Sequence, residues 1–432
     1  MQLCGPRLAR LRAVAAVCFV LASGPAGAQS TGGAPPPVPV SSTGQAELSP
    51  GAATTDPTAE LAEINLFRKG YFDALGVELP FEFLAKKAEA LAKATGLQLG
   101  LANTMLFMEP GGAPHARFGA AGDLDFLASW TLVGRGSEND GRLVASVEYR
   151  YTIGRQTPAV IGPQIGTLIS VTSGFNDRGV VLRDFYWIQR LFDARLRILI
   201  GRADPSNLVG AHWLQNTNNS FVNRHFSANP AIPFPGHGPT LSVSVVPSDT
   251  FYLTAGVSNA HGQTNEIGAY ALFRETDYFT FGEMGSTPTF DRLGAGRYAV
   301  ALWHMDARGK PGLPADRGVT VIMDQRLGVN WQIFARYAYS DATLTNVRQL
   351  AQAGLGLRGV LGRPDDFSGA AVSVAIPRSK ASRPETVVEI FHRWQMTRRV
   401  QFSLGTQVIF DPGNAPQTAT AGVFYARVRN SF

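Results

Sequence analysis

The chain has 432 residues with 39 basic and 33 acidic side chains, which gives a net charge of +6 at pH 7. Three of the basic residues lie in an N-terminal leader without acids, so the remaining charge argues little for nucleic acid as a partner. Both cysteines, Cys4 and Cys18, lie in the same leader. Without it, the chain has no residue for a disulfide, a thiolate metal site or a cysteine nucleophile.

The first segment of the chain, MQLCGPRLARLRAVAAVCFVLASGPAGAQS, has the pattern of a secretory signal. Three arginines precede an apolar run over 13–22, and an Ala-Gly-Ala site follows at 26–28. A basic region, a short apolar core and an A-x-A site predict a signal peptide over 1–28, cut before Gln29. The apolar run is too short to predict a membrane-spanning helix.

A polar linker and a short helical segment come next. Residues 29–58 consist mainly of Pro, Gly, Ser, Thr and Ala, which predicts a disordered linker that cannot bury a core. Residues 59–96 contain Leu84, Ala88 and Leu91 at helical spacing and end at Gly96. This pattern predicts a short periplasmic helical segment ahead of the main body.

After this segment, apolar and polar residues alternate. In FYLTAGVS, for example, Phe251, Leu253 and Ala255 alternate with Tyr252 and Thr254. This period of two is the mark of strands whose faces meet different surroundings. We predict sixteen strands, near 97–108, 122–133, 142–152, 180–190, 194–201, 239–246, 250–258, 270–283, 296–305, 317–325, 329–339, 353–360, 368–376, 385–396, 399–410 and 418–432.

The connections between these strands alternate in length. Tight turns at 247–249, 326–328 and 397–399 fall between longer links at 153–179, 202–238, 306–316 and 340–352. An even number of strands with such connections predicts an all-β fold, a transmembrane antiparallel β-barrel over 97–432. A β-propeller should repeat a blade motif, and the chain shows none. A soluble sandwich would not explain aromatic residues near the ends of the apolar faces.

Enzyme and metal motifs are absent from the sequence or occur by chance. The run GLGLRG at 354–359 fits a dinucleotide fingerprint, but it lies in a strand pattern with no helix after it. The histidines show no metal-ligand spacing, so we expect no cofactor, no metal site and no enzyme activity. A barrel hydrolase assembled from separated Ser, His and Asp side chains stays a remote alternative.

Charged residues occur on the polar faces of the predicted strands. An Arg or Lys on the lipid face of a barrel costs about 2–4 kcal/mol at the midplane, so these residues should point inward. Both signs together predict a wet pore, although any one residue could serve only a structural salt bridge. The predicted pore-lining residues are Glu148, Arg150, Arg195, Arg197, Asp324, Arg336, Glu389, Arg393, Arg427 and Arg429.

Several segments resemble the carbohydrate-selective outer-membrane porins (OprB-type). They are RDFYWIQRLFDARLRILIGRADP (183–205), SANPAIPFPGHGPTLSVSVVPSDTFYLTAGVSNAHG (227–262), GLRGVLGRPDDFSGAAVSVA (356–375), ETVVEIFHRWQM (385–396) and the ending ARVRNSF. The resemblance runs from about residue 96 to the end. It implies a sixteen-stranded barrel in the bacterial outer membrane for passive uptake of small sugars. The linker 29–58 does not fit the family pattern.

The lining residues support this expectation, because paired Arg and carboxylate groups with aromatic rings suit neutral sugars. A nonspecific or anion-preferring porin is the alternative, and the latter should show a more one-sided basic lining. Expected partners are small neutral sugars, outer-membrane lipid and, through the C-terminal strand ending in Phe432, the outer-membrane assembly machinery. The barrel would be a monomer or a homotrimer.

The link 202–238 is our candidate for a loop that narrows the pore. It contains Trp213, Arg224 and the proline-rich run NPAIPFPGHGP. Folding inward is the hypothesis, and an external lid is the alternative.

Overall fold

The computed structural model describes residues 56–66, 68–73, 82–113, 115–262, 271–274, 276–309 and 312–432. The predicted signal peptide 1–28 and nearly all of the predicted linker 29–58 lie outside these residues, and both stay predictions.

Sixteen long strands form one antiparallel sheet, which closes because β1 pairs with both β2 and β17. The strands are β1 (Leu97–Gly111), β2 (Gly119–Val133), β3 (Gly141–Thr152), β4 (Gly179–Leu191), β5 (Leu196–Ala203), β6 (Gly238–Ser248), β7 (Phe251–Asn259), β8 (Tyr278–Ser286), β10 (Gly294–Met305), β11 (Asp316–Leu327), β12 (Trp331–Ser340), β13 (Val347–Arg358), β14 (Phe367–Pro377), β15 (Glu385–Gln395), β16 (Val400–Phe410) and β17 (Thr420–Ser431), and the two-residue β9 (Thr289–Phe290) pairs with the start of β10. The predicted sixteen-stranded barrel is confirmed.

Two predicted strands start more than five residues from their predicted positions: β13, predicted from 353, begins at Val347, and β8 shows the larger difference. The sequence placed it over 270–283, whereas β8 begins at Tyr278 and the short helix α5 occupies Ala271–Arg274. Within β8, Phe279, Phe281 and Glu283 share one face, and all three are buried.

The two ends of the barrel differ in the length of their connections. The long-loop end carries the links 153–178, 204–237 and 260–277, whereas the short-turn end carries tight turns such as 192–195 and 249–250. Both the start of β1 and the end of β17 lie at the short-turn end, because an even number of antiparallel strands returns the chain to its starting side.

The strands keep the alternation that the sequence predicts. In β17, Phe424 points outward with 61% of its surface exposed, while its neighbour Tyr425 faces the lumen and is 4% exposed. The final residue completes the closure, since Phe432 and Leu101 exchange backbone hydrogen bonds of 2.8 and 2.9 Å. Outward apolar and inward polar faces are the pattern of a barrel that meets lipid outside and water inside.

Inward-facing aromatic rings lie over glycines on the neighbouring strand. Tyr425 opposes Gly405, and Phe391 opposes Gly369. A Cβ atom at Gly405 would lie 2.3 Å from the Tyr425 ring, so only glycine leaves room there. The same arrangement repeats around the barrel and allows large rings to lie flat on the inner wall.

The described residues form five short helices besides the barrel strands: α1 (Pro57–Ile64), α2 (Glu82–Thr95), α3 (Ile161–Ile165), α4 (Arg224–Ser227) and α5 (Ala271–Arg274). The Asp56 side chain caps α1 by accepting from the Thr58 amide at 2.9 Å. Gly96, with φ of +77°, follows α2 and turns the chain into β1. Among the described residues, no helix is both long and apolar enough to span a membrane.

Candidate functional site in the barrel lumen

The link between β5 and β6, residues 204–237, lies inside the barrel and is called the inner loop below. Its backbone bonds to lumen-facing side chains of several strands. Glu283 accepts from the Gly210 amide at 2.9 Å, and Asp324 accepts from the Trp213 amide at 2.9 Å. Arg297 pairs with Asp324 at 3.0 Å and donates to the Ala211 carbonyl. These contacts hold the first part of the loop against β8, β10 and β11.

Arg336 on β12 is the most heavily bonded of these anchors. Its guanidinium donates to the backbone carbonyls of Gly210 at 3.0 Å, His225 at 3.2 Å and Ala228, all within the inner loop. It also donates to the side chains of Gln215 at 2.5 Å and Gln352 at 2.9 Å. The residue is 2% exposed, so its donors serve the loop and are not available to a solute.

The middle of the inner loop is fixed by the strands near the barrel seam. Glu389 accepts from the amides of Val222 at 2.7 Å and Asn223 at 2.9 Å. Arg427 donates to the carbonyls of Thr217 at 2.6 Å and Ser220 at 2.8 Å. Arg393 likewise donates to the Asn219 carbonyl at 2.6 Å. The loop therefore crosses the lumen from β8 to β17.

A small apolar core lies between the inner loop and the wall. The rings of His212 and Phe334 are stacked with centroids 3.9 Å apart, and Phe221 packs edge-on against Phe391 at 5.1 Å. Burial, together with the nearby Arg336, lowers the pKa of His212 well below its usual value, so the imidazole is neutral at pH 7. Packing and hydrogen bonds together make the loop a fixed part of the lumen.

A hydrogen-bonded group of three side chains that joins the inner loop to β14 and β15 has the composition of a catalytic triad. The His225 ring lies 2.8 Å from the Ser373 hydroxyl and 3.2 Å from a Glu385 carboxylate oxygen. All three residues are buried, and Glu385 also accepts from the amides of Leu168 at 2.6 Å and Gly413 at 2.9 Å. A nucleophile needs access to its substrate, so this arrangement serves as a brace for the inner loop.

A second group of charges lies on β2, β3 and β4 and is called the acid–arginine cluster below. It consists of Asp123, Asp125, Glu148, Arg150 and Arg183, all facing the lumen. Arg150 pairs with Glu148 at 2.6 Å, and Arg183 lies 3.5 Å from Asp125. The three carboxylates come within 4.8 Å of one another, but the two guanidinium groups already act as their counter-ions. The cluster is therefore explained without a metal.

Helix α1 also lies in the lumen, near the short-turn end. Its Glu60 pairs with Arg429 on β17 at 2.5 Å, and Asp56 accepts from the Tyr186 hydroxyl at 3.1 Å. Glu63 pairs with Arg68 at 3.0 Å and accepts from Asn219 of the inner loop. Burial raises the pKa of Glu63, but the surrounding guanidinium groups outweigh it and hold that pKa below its usual value.

Nine of the ten predicted lining residues occupy four kinds of position. Glu148 and Arg150 belong to the acid–arginine cluster, and Arg429 holds α1. Arg197 is buried on β5 near the short-turn end. The anchors of the inner loop are Asp324, Arg336, Glu389, Arg393 and Arg427.

The prediction for Arg195 is wrong. β5 begins at Leu196, so Arg195 lies in the turn before it, where its side chain is 49% exposed and pairs with Asp249 at 2.7 Å. The alternation that includes Arg197 was extended one position too far, because a turn does not keep the period of a strand.

Several functional side chains were missed. Arg183, Glu283 and Arg297 all face the lumen on strands that the sequence predicted, and the alternation of each strand could have identified them. The carboxylates of α1 had no such signal, since nothing in the sequence places this helix inside the barrel.

A closed sixteen-stranded barrel with an inward-folded loop and a charged lumen defines a porin-type channel. The model of the family "Carbohydrate-selective porin, OprB family" matches residues 120–432. The chain therefore belongs to this family, and the resemblance noted in its sequence is confirmed. The comparison with curated protein sequences gives no match.

Solved structures agree with the fold. The chain is similar to the high-pH structure of Pseudomonas putida OprB, with a TM-score of 0.66 and 15% identity over 81% of this chain and 97% of that one. The low-pH structure of the same protein gives a TM-score of 0.51, again at 15% identity, over 81% and 96% of the two chains. At this identity the similarity supports the barrel architecture alone.

Proposed function

We propose that this protein is an outer-membrane porin for the passive diffusion of small neutral sugars. The proposal depends on the position of the inner loop. Side chains of the barrel strands, notably Arg336 and Glu389, hold this loop inside the lumen through buried hydrogen bonds. A loop fixed in this way narrows the channel permanently, and it does not open or close the channel by moving. The family to which the chain belongs supports sugars as the solutes.

The orientation follows from the two ends of the barrel. In our proposal the short turns, α1 and Phe432 face the periplasm, and the long loops face the outside, as in outer-membrane barrels generally. A solute would enter at the long-loop end, pass the inner loop and leave beside α1.

The charges near the passage support a neutral solute. The acid–arginine cluster pairs its guanidinium groups with carboxylates, and α1 adds Glu60 opposite Arg429. Charges of opposite sign that lie together leave little net field to attract ions. Among these groups the Arg150 side chain is partly exposed, at 14%, and can meet sugar hydroxyls. Contacts of this kind must be weak and repeated along the path, since conduction requires that a solute both enter and leave.

Glucose should block the ion current through single channels in planar bilayers. Because a sugar in the narrow passage excludes ions, we expect the conductance to fall as glucose rises into the millimolar range. Reversal potentials in a salt gradient, measured in parallel, should show only weak ion selectivity because the lining charges are paired. The control is the same buffer without glucose, brought to equal osmolarity with glycine betaine.

Other outcomes identify the rival functions. A conductance insensitive to glucose would indicate a nonspecific porin, and a strongly anion-selective reversal potential would indicate an anion porin. Turnover of an ester substrate by the purified protein would support the hydrolase alternative.

A further inference from the structure

A cavity of about 440 Å³ opens at the long-loop end of the barrel and is called the vestibule below. Its volume is in the range of about 300–1,000 Å³ that is usual for small-molecule sites. The wall is built from the link 153–178, the inner loop, the link 306–315 and the link 341–346. The vestibule is thus separate from the acid–arginine cluster on the barrel wall.

The charge of the vestibule is one-sided, unlike that of the lumen. Two arginines, Arg224 and Arg308, line it, and no Asp or Glu is among the described residues of its wall. The hydroxyl-bearing residues Ser170 and Thr345 lie on the same wall. Two guanidinium groups without a lining carboxylate favour an anionic ligand.

Arg224 is held in place but not neutralised. Its backbone amide donates to the Ser170 carbonyl at 3.3 Å, and its side chain is exposed to the vestibule. Among the described residues, no carboxylate forms an ion pair with Arg224. The lumen arginines Arg150 and Arg429, in contrast, each pair with a glutamate.

The guanidinium of Arg308 makes one hydrogen bond within the protein, and one of its nitrogens has no partner. It donates through Nη1 to the Ala260 carbonyl at 3.0 Å, while its Nε is buried without a hydrogen-bond partner. The charge that acts on it comes from Asp277, which is not part of the vestibule wall. The buried Nε cannot reach a solute, so Arg308 contributes its positive charge to the vestibule.

The opposite part of the wall is apolar and rigid. It contains Ile232, Pro233, Phe234 and Pro235 of the inner loop. The Phe234 ring is fixed by an edge-on contact with Phe279, with centroids 5.6 Å apart. Flat apolar surfaces of this kind pack against the C–H face of a sugar ring, which a simple inorganic anion does not have.

We propose that the vestibule binds carboxylated monosaccharides, that is, uronic or aldonic acids, with the carboxylate on Arg224. Arg308 adds a second positive charge, the hydroxyls of the sugar face Ser170 and Thr345, and its apolar face lies on Phe234 and the prolines. The inference rests on the proposed function, because it adds a charged sugar, bound at the entrance of the same channel, to the neutral sugars that the channel conducts.

Binding is measured as block of the ion current by sodium D-glucuronate, D-glucose or sodium acetate added at the long-loop side, at constant ionic strength. For the wild type we expect a Kd for glucuronate about tenfold lower than that for glucose, since one charge-assisted bidentate contact is worth at least that factor. Arg224→Gln should bring the two values within about twofold of each other, because the charge is lost. Arg155→Gln, which removes an exposed arginine of the same end outside the vestibule wall, should behave as the wild type.

Three results would overturn the assignment: equal Kd values for glucuronate and glucose in the wild type, a preference that survives in Arg224→Gln, or acetate binding as tightly as glucuronate. Arg224→Lys is the second variant. Its preference for glucuronate over glucose should fall between those of the wild type and Arg224→Gln, because an ammonium keeps the charge but lacks the planar pair of donors. Heat-modifiable migration on SDS gels checks that each variant is folded. If glucose blocks the ion current but glucuronate binds no more tightly, this inference alone is overturned. If neither sugar blocks the current, the proposed function is overturned as well.

Discussion

Replacing Arg336 with methionine should release the inner loop and raise the single-channel conductance at least about twofold, because a mobile loop no longer narrows the lumen. Methionine keeps much of the side-chain volume but removes every donor. The Ala228 carbonyl then loses its donor inside the barrel, and the carbonyls of Gly210 and His225 each lose one of two donors and keep Asn229 and Gln352. A buried acceptor left unpaired costs about 1–3 kcal/mol, and the four-residue helix α4 in this part of the loop is too short to be stable alone.

The sixteen-strand ladder does not depend on this side chain, so the barrel itself should form. Arg348→Met is the matched control, since Arg348 lies on the neighbouring strand β13, is exposed and contacts the ring and hydroxyl of Tyr339 rather than the inner loop. Its conductance should equal that of the wild type. A second variant lacking residues 215–225 removes the middle of the loop altogether. Wild-type conductance in both Arg336→Met and the deletion would show that the inner loop does not narrow the channel.

The double substitution Glu60→Gln and Glu63→Gln should release α1 and raise the conductance by about twofold, because the short-turn end of the lumen would open. Glu60 is 2% exposed and pairs with Arg429 at 2.5 Å, and Glu63 pairs with Arg68. Removing one partner of a buried ion pair costs about 3–5 kcal/mol, since the remaining charge is left uncompensated. The other contacts of this eight-residue helix include the hydrogen bond between Asp56 and Tyr186 and the packing of the buried Leu61, and a helix of this length is not stable alone.

Hydrogen exchange of residues 57–64 reports the release of α1 directly and should become faster in the double variant. Glu89→Gln is the control, because Glu89 pairs with Lys93 on α2, where both side chains are largely exposed. Faster exchange with unchanged conductance would mean that α1 leaves its position without being part of the barrier. Unchanged exchange would mean that these two carboxylates do not hold it.

The barrel could be predicted from the sequence because its signal is local. Each strand faces lipid on one side and the lumen on the other, so the alternation is visible within the strand itself, as in Phe424 and Tyr425 of β17. The alternation no longer predicts the direction of a side chain where the chain leaves a barrel strand. Arg195 lies in a turn, and the segment ahead of Tyr278 forms the short helix α5.

The roles of the lining residues could not be predicted in the same way. Alternation correctly placed Arg336 on the inner face, but its bonds reach groups more than a hundred residues away, such as the Gly210 carbonyl. A period of two records which way a side chain points and not what fills the lumen opposite it. For the same reason the helical pattern of α1 contained no sign that Glu60 would meet Arg429 inside the barrel.

Swelling of proteoliposomes in isotonic sugar solutions measures the passage of an uncharged solute without a voltage, and it is the decisive test of sugar diffusion through this barrel. We expect rapid swelling in pentoses and hexoses, slower swelling in disaccharides because the inner loop limits size, and a higher disaccharide rate in the variant lacking 215–225. Swelling in hexose no faster than in protein-free liposomes, with the barrel intact by its heat-modifiable migration, would contradict it.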